Sequence, residues 1–564
     1  MVNLVDDAWL PAQWKGGGRE RVSLRVALTR AGELRGLAIE PPTLLSAVMR
    51  HVLLPVWFSA LGQPSSRAEW RDRFERGGLD AQQGQLLDLY LDTWRSSFDL
   101  FSPERPFAQV AGLETSAGET KPVSLLVPSV ATGNNVPMFT SFTEAHAYEM
   151  TPEDAALWLL HAQCWDTAAI KTGAKDDEQA KKGKTTGNPT GPLGQLGVIL
   201  PEGRTLYETL LLNTLVSWDA KAAGNAAGVG REDYPQWQSP EPHTSSWRKR
   251  PAAGPLDTLT WQSRRIRLVP EDTADGVRVR RVVVCAGDRL AARPEPACEP
   301  HTAWNYSAKP KKGETPMKPR RHRPGEHAWR GLAALLALGR EEDGDGPRTS
   351  ELLQQVGDLQ SEGCLPEAYP LQVLTCGLEY GNMSAVVEDA AGDRLPVPTA
   401  ALVSDSRVRH LVLEAAEQAE GVTRALNGLS ADLRRAQGAE PLPWDKGQRP
   451  GMTFLQAVDL PMRRLLLGMQ KDADDEDRIE AGMGAWEEIL HRLAWDTARS
   501  VLASASPTTF AGRKAGESKT YRAADAERIF RKRLRDILYR AADARMDDGH
   551  DTYGDDDAEG EEPS

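Results

Sequence analysis

Apolar residues recur at steps of three and four through the last third of the chain, the spacing that places them on one face of an α-helix. The pattern predicts four helices, at about 405–433, 453–470, 479–501 and 521–545. Ser404 or Ser406 is placed to cap the first of them. Helices with one apolar stripe each bury those stripes against one another, so we predict a four-helix bundle of about 140 residues within a C-terminal domain at 401–546.

Residues 1–400 mix helical and strand periodicities. Helical stretches are predicted near 42–62, 82–97, 152–170 and 205–217. The strand-like runs RIRLVP and VRVRRVVVCAG are separated by EDTADG, which suits an antiparallel pair. The fold class predicted for the chain is therefore α+β, a large mixed N-terminal domain followed by the four-helix bundle.

Three stretches rich in Gly, Pro, Lys or Arg interrupt this pattern, and they are predicted to be surface loops or partly disordered segments. They span 171–192, 219–256 and 304–328. Chain length agrees with several packed units, since 564 residues exceed one ordinary hydrophobic core.

The net charge of −13 is concentrated at one end of the chain. Residues 547–564 hold nine Asp or Glu and no Lys or Arg, which predicts an acidic, disordered tail. Setting those nine charges aside leaves about −4, and a nearly neutral body with local basic clusters can bind a polyanion.

No targeting or membrane segment is predicted. The first residues have acids and no apolar h-region, and the run LLSAVMRHVLLPVWFSAL is interrupted by Arg50, His51 and Pro55. We therefore expect a cytoplasmic protein that makes no membrane contact.

No catalytic or metal-binding motif is recognised. The five cysteines are odd in number and have no CxxC spacing, so buried thiols are expected. KKGKTTG ends like a phosphate-binding loop, but Glu178 stands where its leading Gly is required. HExxH, GxSxG and GxGxxG after a strand do not occur. The sequence thus predicts no enzyme, no cofactor and no metal.

Two basic stretches are candidates for contact with nucleic acid. Residues 304–323 hold seven Lys or Arg against one Glu, among them Lys309, Lys311 and Lys312, and must face water or an anion. Residues 171–187 hold five lysines and three glycines, diluted by three acids. A plain solvated loop remains open for both.

Two turns carry residues that can touch bases. ATGNNVPMFTSFTE, at 131–144, follows a Gly-Asn-Asn turn with Met138 and Phe139, and an exposed aromatic ring can stack on an unpaired base. The alternative is a plain turn with a core Phe. GLEYGNMSAVVED holds Met383 on a tight turn between apolar runs, where the alternative is a buried Met that closes a hairpin.

Taken together, these segments resemble the large-subunit (CasA) family of the type I-E CRISPR surveillance complex Cascade. The resemblance follows nearly the whole chain and depends on the order and spacing of LVDDAWLPAQ, FDLFSPERPFAQV, ATGNNVPMF, CWDTAAIKTGA, GPLDTLTWQSRRIRLV and EYGNMSAVVED. It implies a protein without enzymatic activity that recognises the protospacer-adjacent motif (PAM) from the minor groove, wedges the duplex open and helps to start the R-loop.

The resemblance also assigns roles to individual positions. Contact with the 5′ handle of the CRISPR RNA falls on Asn134, Asn135, Met138 and Phe139, and the glycine loop on Gly173, Ala174 and Lys175. The lysine finger falls on the turn AGDRLA, where this chain has Arg289. The wedge, usually a Gln, falls on Met383. Its neighbours in the same turn, Gly381, Asn382 and Ser384, are also assigned to the contact with DNA.

Met cannot form the hydrogen bonds of a carboxamide, but apolar side chains commonly unstack a base step from the minor groove. Minor-groove reading mainly separates A·T from G·C, so we expect several PAMs to be tolerated.

For the bundle, the resemblance implies contacts with the protein filament along the guide and with the displaced strand. The candidate residues are Arg434, Arg435, Arg463, Arg464, Arg531, Lys532 and Arg533, which are otherwise solvated charges. The family also docks a helicase-nuclease. Two alternatives stay open: a DNA-modifying enzyme or nuclease with an unrecognised site, and a purely structural adaptor.

Overall fold

The structure, a computed structural model, describes residues 2–130, 148–216, 232–291, 296–311, 315–338, 344–439, 449–515 and 519–541. Its internal contacts divide the chain into two compact units, Met1–Ser404 and Asp405–Ser564. The first unit mixes helices and short sheets, and the second is helical apart from one small strand pair. The predicted α+β class is confirmed.

The helices of the first unit are short, and several begin at side-chain caps that the sequence supplies. Asp80 and Gln83 form a capping box, and Thr151 caps a helix whose first residue is Pro152. The α-helices span Leu24–Thr29, Pro42–Val48, Leu54–Leu61, Arg67–Arg76, Ala81–Trp94, Pro152–Trp165, Leu206–Leu212, Pro255–Leu259, Leu332–Leu335 and Glu351–Ser361.

A π-helical turn, Met49–Leu53, joins two of these helices into one apolar run, Pro42–Leu61. The run is long and apolar enough to cross a membrane, but 89% of its most apolar window is buried inside the protein. It packs against Pro152–Trp165 and the strand Gln372–Gly381, which makes it a core helix of this unit.

The strands of the first unit form several two- and three-stranded sheets. The longest strands form two antiparallel hairpins, Arg264–Thr273 with Gly276–Ala286 and Gln372–Gly381 with Val386–Pro396. The strand Gln372–Gly381 also pairs with Val198–Glu202 on its other side. The others are Leu10–Trp14, Arg19–Val22, Leu34–Leu37, Lys121–Pro122, Lys171–Thr172, Lys184–Thr185, Lys249–Arg250, Arg289–Leu290, Trp304–Tyr306, Met317–Pro319 and Gly346–Arg348.

Some predicted boundaries were wrong. The helix predicted to reach 170 ends at Trp165, because Asp166 leaves the helical conformation and pairs with Lys171 and Arg264. The helix predicted to reach 217 ends at Leu212. The predicted antiparallel pair is confirmed, with strands that extend into the EDTADG connection.

The three interrupting stretches contain more structure than predicted. Trp304, predicted beside cationic groups in a loop, is 1% exposed and lies in a strand that pairs on both sides. Lys171 lies in a short strand, and its side chain is 10% exposed and pairs with Asp166. Of the cysteines, Cys298 is half-buried and the other four are buried.

The second unit is the four-helix bundle that the sequence predicts. Arg407–Gln437 packs against Pro450–Lys471, Glu476–Ala503 and Ala523–Ile537. Ser406 accepts a hydrogen bond from the amide of Arg409 at the start of the first helix, and Gly438 ends it with φ of 83°. Thr508–Ala511 and the strand pair Arg513–Ala515 with Lys519–Tyr521 connect the last two long helices. The predicted tail at 547–564 lies outside the described residues.

Candidate nucleic-acid interface

The hairpin at 372–396 ends in a turn with an unusual backbone. Asn382, Met383 and Ser384 have φ of 41°, 56° and 61°, all left-handed, and none is glycine. L residues in that conformation carry a penalty of about 1–2 kcal/mol each. The amide of Ala385 donates to the carbonyl of Asn382 at 3.1 Å and closes the turn. The turn holds the Met383 side chain 91% exposed, so the alternative of a buried Met is wrong.

Gly381 stands at the base of this turn, next to an irregularity in the hairpin. The register changes between Glu379 and Tyr380, which leaves Glu388 as the extra residue of a β-bulge. A Cβ at Gly381 would overlap the carboxyl group at the end of the exposed Glu388 side chain, so a larger residue here would displace that carboxyl group. The bulge increases the local twist of the hairpin next to the turn.

The turn is attached to the segment that follows the helix Pro152–Trp165, residues 166–170, which we name the brace. The amide of Ala168 donates to the carbonyl of Ser384 at 2.7 Å. The hydroxyl of Tyr380 donates to the carbonyl of Trp165 at 2.6 Å, and its burial raises the pKa of Tyr380. These two contacts fix the hairpin end against the brace and the last residue of the helix before it.

A buried ion cluster holds the brace. The carboxylate of Asp166 lies 2.6 Å from the ammonium of Lys171 and also pairs with Arg264, which is 1% exposed. Burial alone would raise the pKa of Asp166, but the two cations outweigh it and lower the pKa to about 2. Arg264 also donates to the carbonyls of Thr167 and Pro189, at 2.8 and 2.7 Å. The brace is thus fixed by charge-assisted hydrogen bonds.

Arg289 lies in a cradle of neutral groups. Its guanidinium stacks 3.9 Å from the centre of the Trp247 ring, and NH2 donates to the carbonyl of Thr186 at 2.8 Å and to Oδ1 of Asn188 at 3.1 Å. The strand Arg289–Leu290 runs parallel to Lys249–Arg250. Burial, followed by the charge of Arg264, lowers the pKa of Arg289. The side chain is half-buried.

Trp247 is itself fixed by the 171–187 stretch. Its Nε1 donates to Asp177 at 3.1 Å, and its carbonyl accepts from Nε2 of Gln179 at 2.7 Å. Asp177 also accepts from the hydroxyl of Thr185 at 3.1 Å. One of the three acids that weaken the electrostatic argument for this stretch is therefore occupied by internal contacts.

The structure assigns different positions to the three residues of the predicted glycine loop. Ala174 is 1% exposed and packs with Val283 and Cys285, so its side chain lies in the core, and its contact with DNA stays a prediction. Gly173 is also buried, and a Cβ there would lie 2.6 Å from Cβ of Ala180. Glycine is needed at 173 for packing within the loop. Lys175 is exposed and lies 3.3 Å from Glu114.

The remaining predicted contacts of this unit fall elsewhere. Lys309 and Lys311 are exposed in the connection between Trp304–Tyr306 and Met317–Pro319, on a different sheet from the hairpin. Lys312 lies outside the described residues. So do the predicted handle contacts Asn134, Asn135, Met138 and Phe139.

In the bundle, several predicted strand contacts already pair with an acid on their own helix. Arg435 lies 2.7 Å from Asp432, Arg463 lies 3.0 Å from Asp459, and Arg531 lies 2.9 Å from Glu527. The pair of Arg531 is the most exposed of the three, and an exposed pair of this kind is weak, whereas Arg463 and Asp459 are largely covered. Arg464, Lys532 and Arg533 are exposed, and Arg434 is half-buried.

Four residues that surround Arg289 were not among the predicted site residues. Asn188 and Trp247 hold its guanidinium, while Lys249, on the neighbouring strand, and Arg248, just before it, are exposed. The run SSWRKR, an aromatic beside three cations, is the signal that could have identified three of them. Asn188 has no such signal. Within the described ranges, no group of three or more His, Cys, Asp or Glu is placed to hold a metal ion.

Comparisons with known proteins match this fold along almost its whole length. The model of the CRISPR-associated protein Cse1 family matches residues 3–497. The solved structure of Thermobifida fusca Cse1 is 31% identical with a TM-score of 0.79, and that of Cse1 from Acidimicrobium ferrooxidans is 30% identical with a TM-score of 0.76. Each alignment covers 96% of this chain and 98% of the other.

A curated relative, CRISPR-associated protein CasA/Cse1 of Thermus thermophilus, is 29% identical over 523 residues, which are 89% of this chain and 93% of the relative. The resemblance noted in the sequence is thereby confirmed. The chain belongs to the Cse1 (CasA) family, the large subunits of the CRISPR surveillance complex Cascade.

Proposed function

We propose that this large subunit recognises the PAM of double-stranded target DNA from the minor groove and pries open the adjoining base step to start the R-loop. It performs no bond-breaking itself in this proposal. It works in the cytoplasm within an assembly of other Cascade subunits and the CRISPR RNA.

One observation carries the proposal, the exposure of Met383. A thioether side chain that is 91% exposed at the end of a braced hairpin has lost the usual gain of apolar burial. Its strained turn adds a further penalty. A partner with a dry, flat surface restores that burial, and the gap between two unstacked base pairs is such a surface.

Arg289 supplies the contact in the groove. A guanidinium is more weakly hydrated than an ammonium and suits the negative potential of a narrow minor groove. Lys249, exposed on the strand beside it, and Arg248, exposed just before that strand, are placed to bind the flanking phosphates. Lys175 and the basic segment with Lys309, Lys311 and Lys312 extend this cationic surface in the proposal.

Three further roles belong to the proposal through family membership. Asn134, Asn135, Met138 and Phe139 contact the 5′ handle of the CRISPR RNA. The basic positions of the bundle hold the displaced strand, and the subunit helps to recruit the helicase-nuclease. The support for these roles is the match to the Cse1 family along the chain.

The wedge is tested with assembled complexes that carry Met383→Ala or Met383→Gln. Each is titrated with two duplexes that differ only in whether the base pairs next to the PAM are complementary or mismatched and already open. Met452→Ala is the matched control, because Met452 is an exposed methionine, 46% accessible, in the helical unit.

We expect Met383→Ala to weaken binding to the closed duplex by about tenfold or more, in keeping with a few kcal/mol for unstacking one step. The opened duplex restores most of this loss. Equal affinity of wild type and Met383→Ala for the closed duplex refutes the wedge. An equal loss on both duplexes refutes it as well, since that result describes a plain contact.

A further inference from the structure

The buried amide of Asn188 uses both of its ends. It is 6% exposed. Its Nδ2 donates to the carbonyls of Thr185 and Ala169, at 2.9 and 3.2 Å, and its Oδ1 accepts from NH2 of Arg289 at 3.1 Å. Gly187, with φ of 69°, provides the left-handed turn that directs residue 188 inwards.

The contact with Ala169 reaches the hairpin through the brace. The neighbouring residue, Ala168, donates its amide to the carbonyl of Ser384 at 2.7 Å. One side chain and two adjacent brace residues therefore connect the guanidinium of Arg289 to the turn that presents Met383. These connections join segments that are distant in sequence, since Arg289 and Asn188 lie 101 residues apart.

We propose that Asn188 is a positioning residue that fixes Arg289 relative to the hairpin turn, so that reading of the minor groove and opening of the next base step act as one event. This inference rests on the proposed function of Arg289 and Met383. In this inference Asn188 affects PAM selectivity indirectly, by positioning Arg289, and does not itself contact DNA.

The physical basis is preorganisation. A free arginine side chain carries about 2 kcal/mol of rotamer entropy, which is lost when it is fixed in a groove. Trp247, the carbonyl of Thr186 and Asn188 have already restricted Arg289 before DNA arrives. Of these three, Asn188 also bonds to the brace, so it alone among them sets the distance between guanidinium and wedge.

Three substitutions test the amide, and one of them separates its two ends. Asn188→Ala removes both, and Asn188→Leu removes both at similar volume. Asn188→Asp keeps the acceptor for Arg289 but replaces the donor to Ala169 with an oxygen. Asn213→Ala is the matched control, because Asn213 is 0% exposed and its Nδ2 donates to the carbonyls of Pro201 and Thr209, both at 2.7 Å.

The experiment measures affinities of assembled complexes for a library of duplexes with randomised PAM trinucleotides. The variants are Asn188→Ala, Asn188→Asp, Arg289→Ala, Met383→Ala, the two double variants that contain Asn188→Ala, and Asn188→Asp combined with Met383→Ala. We expect Asn188→Ala to lower affinity for the preferred PAMs about tenfold, which corresponds to about 1.4 kcal/mol of binding free energy. We also expect it to reduce the differences in affinity among PAMs. Asn213→Ala leaves the ranking unchanged.

Coupling is the readout that a merely structural role does not move. In the Arg289→Ala background, Asn188→Ala should change affinity less than threefold, because its partner is already absent. Asn188→Asp should keep part of the PAM ranking while losing coupling to Met383→Ala. If Asn188→Ala fails to assemble, the Asp and Leu variants carry the same comparison.

The inference is overturned if Asn188→Ala keeps the wild-type PAM ranking, or if its effect multiplies independently with that of Arg289→Ala. Failure of the proposed function gives a different result. In that case Arg289→Ala and Met383→Ala each leave binding and ranking unchanged, whatever Asn188→Ala does.

Discussion

Nε1 of Trp247 donates a hydrogen bond to the carboxylate of Asp177 at 3.1 Å, 70 residues away in the chain. This bond fixes the plane of an indole that is 8% exposed and carries the guanidinium of Arg289 on its face. Asp177 therefore orients a cation indirectly, through the aromatic ring between them, without forming an ion pair with it.

Loss of this indole should weaken target binding through Arg289. Trp247→Leu removes a cation–π contact worth about 0.5–2 kcal/mol, so we expect affinity of the assembled complex for duplex DNA to fall about 2- to 30-fold. Trp247→Phe keeps a ring face and should lose less. Trp14→Leu is the control, because Trp14 stacks 4.5 Å from Arg30 in a similar pair. Equal affinities for wild type and Trp247→Leu contradict this role.

Replacement of the wedge by glycine should separate stability from function. Met383→Gly removes the strain of a left-handed L residue, which stabilises the folded state by about 1–2 kcal/mol. Glycine also raises the backbone entropy of the unfolded state, which destabilises the fold by about 0.5–1 kcal/mol. The two terms nearly cancel, so the melting temperature should change by no more than a few degrees, while opening of the closed duplex is lost.

Met383→Ile should lower hydrogen-exchange protection of the turn, because β-branched residues fit positive φ poorly. A stabilised turn in Met383→Ile would contradict the strain.

The helical unit should depend on one buried ion pair. Glu487 is 0% exposed, and it accepts from Arg540 at 2.8 Å and from Gln418 at 2.7 Å. Arg540→Ala leaves this carboxylate buried without its cation, and we expect about 3–5 kcal/mol of lost unfolding free energy in urea titrations.

The matched control for the ion pair is Arg528→Ala. Arg528 lies 3.5 Å from Asp525, and its side chain is 73% exposed. Such a surface pair should contribute about 0–1 kcal/mol. Similar midpoints for the Arg540 and Arg528 variants would contradict the larger contribution of the buried pair.

Mild acid should destabilise the first unit through its buried histidines. Burial, with the charge of Arg50, lowers the pKa of His51 to about 3, and burial lowers the pKa of His161 to about 3 as well. Above pH 6.5 each histidine is neutral in both the folded and the unfolded state, so it does not change the unfolding free energy. Between pH 6.5 and 3 only the unfolded state binds these protons, so each histidine lowers the unfolding free energy by about 1.4 kcal/mol per pH unit.

The measurement is the urea midpoint of the first unit's transition at pH 7, 6 and 5. His161→Phe removes one of the titrating groups, together with its 3.2 Å contact to the hydroxyl of Thr43, and should reduce the slope with pH. His410→Gln, at an exposed histidine of the helical unit, should leave that slope unchanged. An unchanged slope in His161→Phe contradicts the assignment.

The bundle and the main hairpins follow from the sequence alone. Val412, Leu426 and Leu433 repeat at helical spacing, and helix formation depends on neighbours within a turn or two, so the period identifies the helix before any packing is known. A turn at Met383 follows from similar local signals, an aromatic, glycine and asparagine between two apolar runs, but its exposure does not.

The surroundings of the candidate site were decided by tertiary structure. Composition made Lys171 and Ala174 surface residues of a basic loop, yet Lys171 pairs with Asp166 and Ala174 packs beside Val283. Asn188 carries no periodic signal and meets Arg289 across 101 residues. Periodicity reports contacts between neighbours in the chain, whereas contacts between distant side chains exist only after the core has packed. The sequence therefore determined which elements form, and the packed core determined that the turn at Met383 is exposed and which side chains hold Arg289.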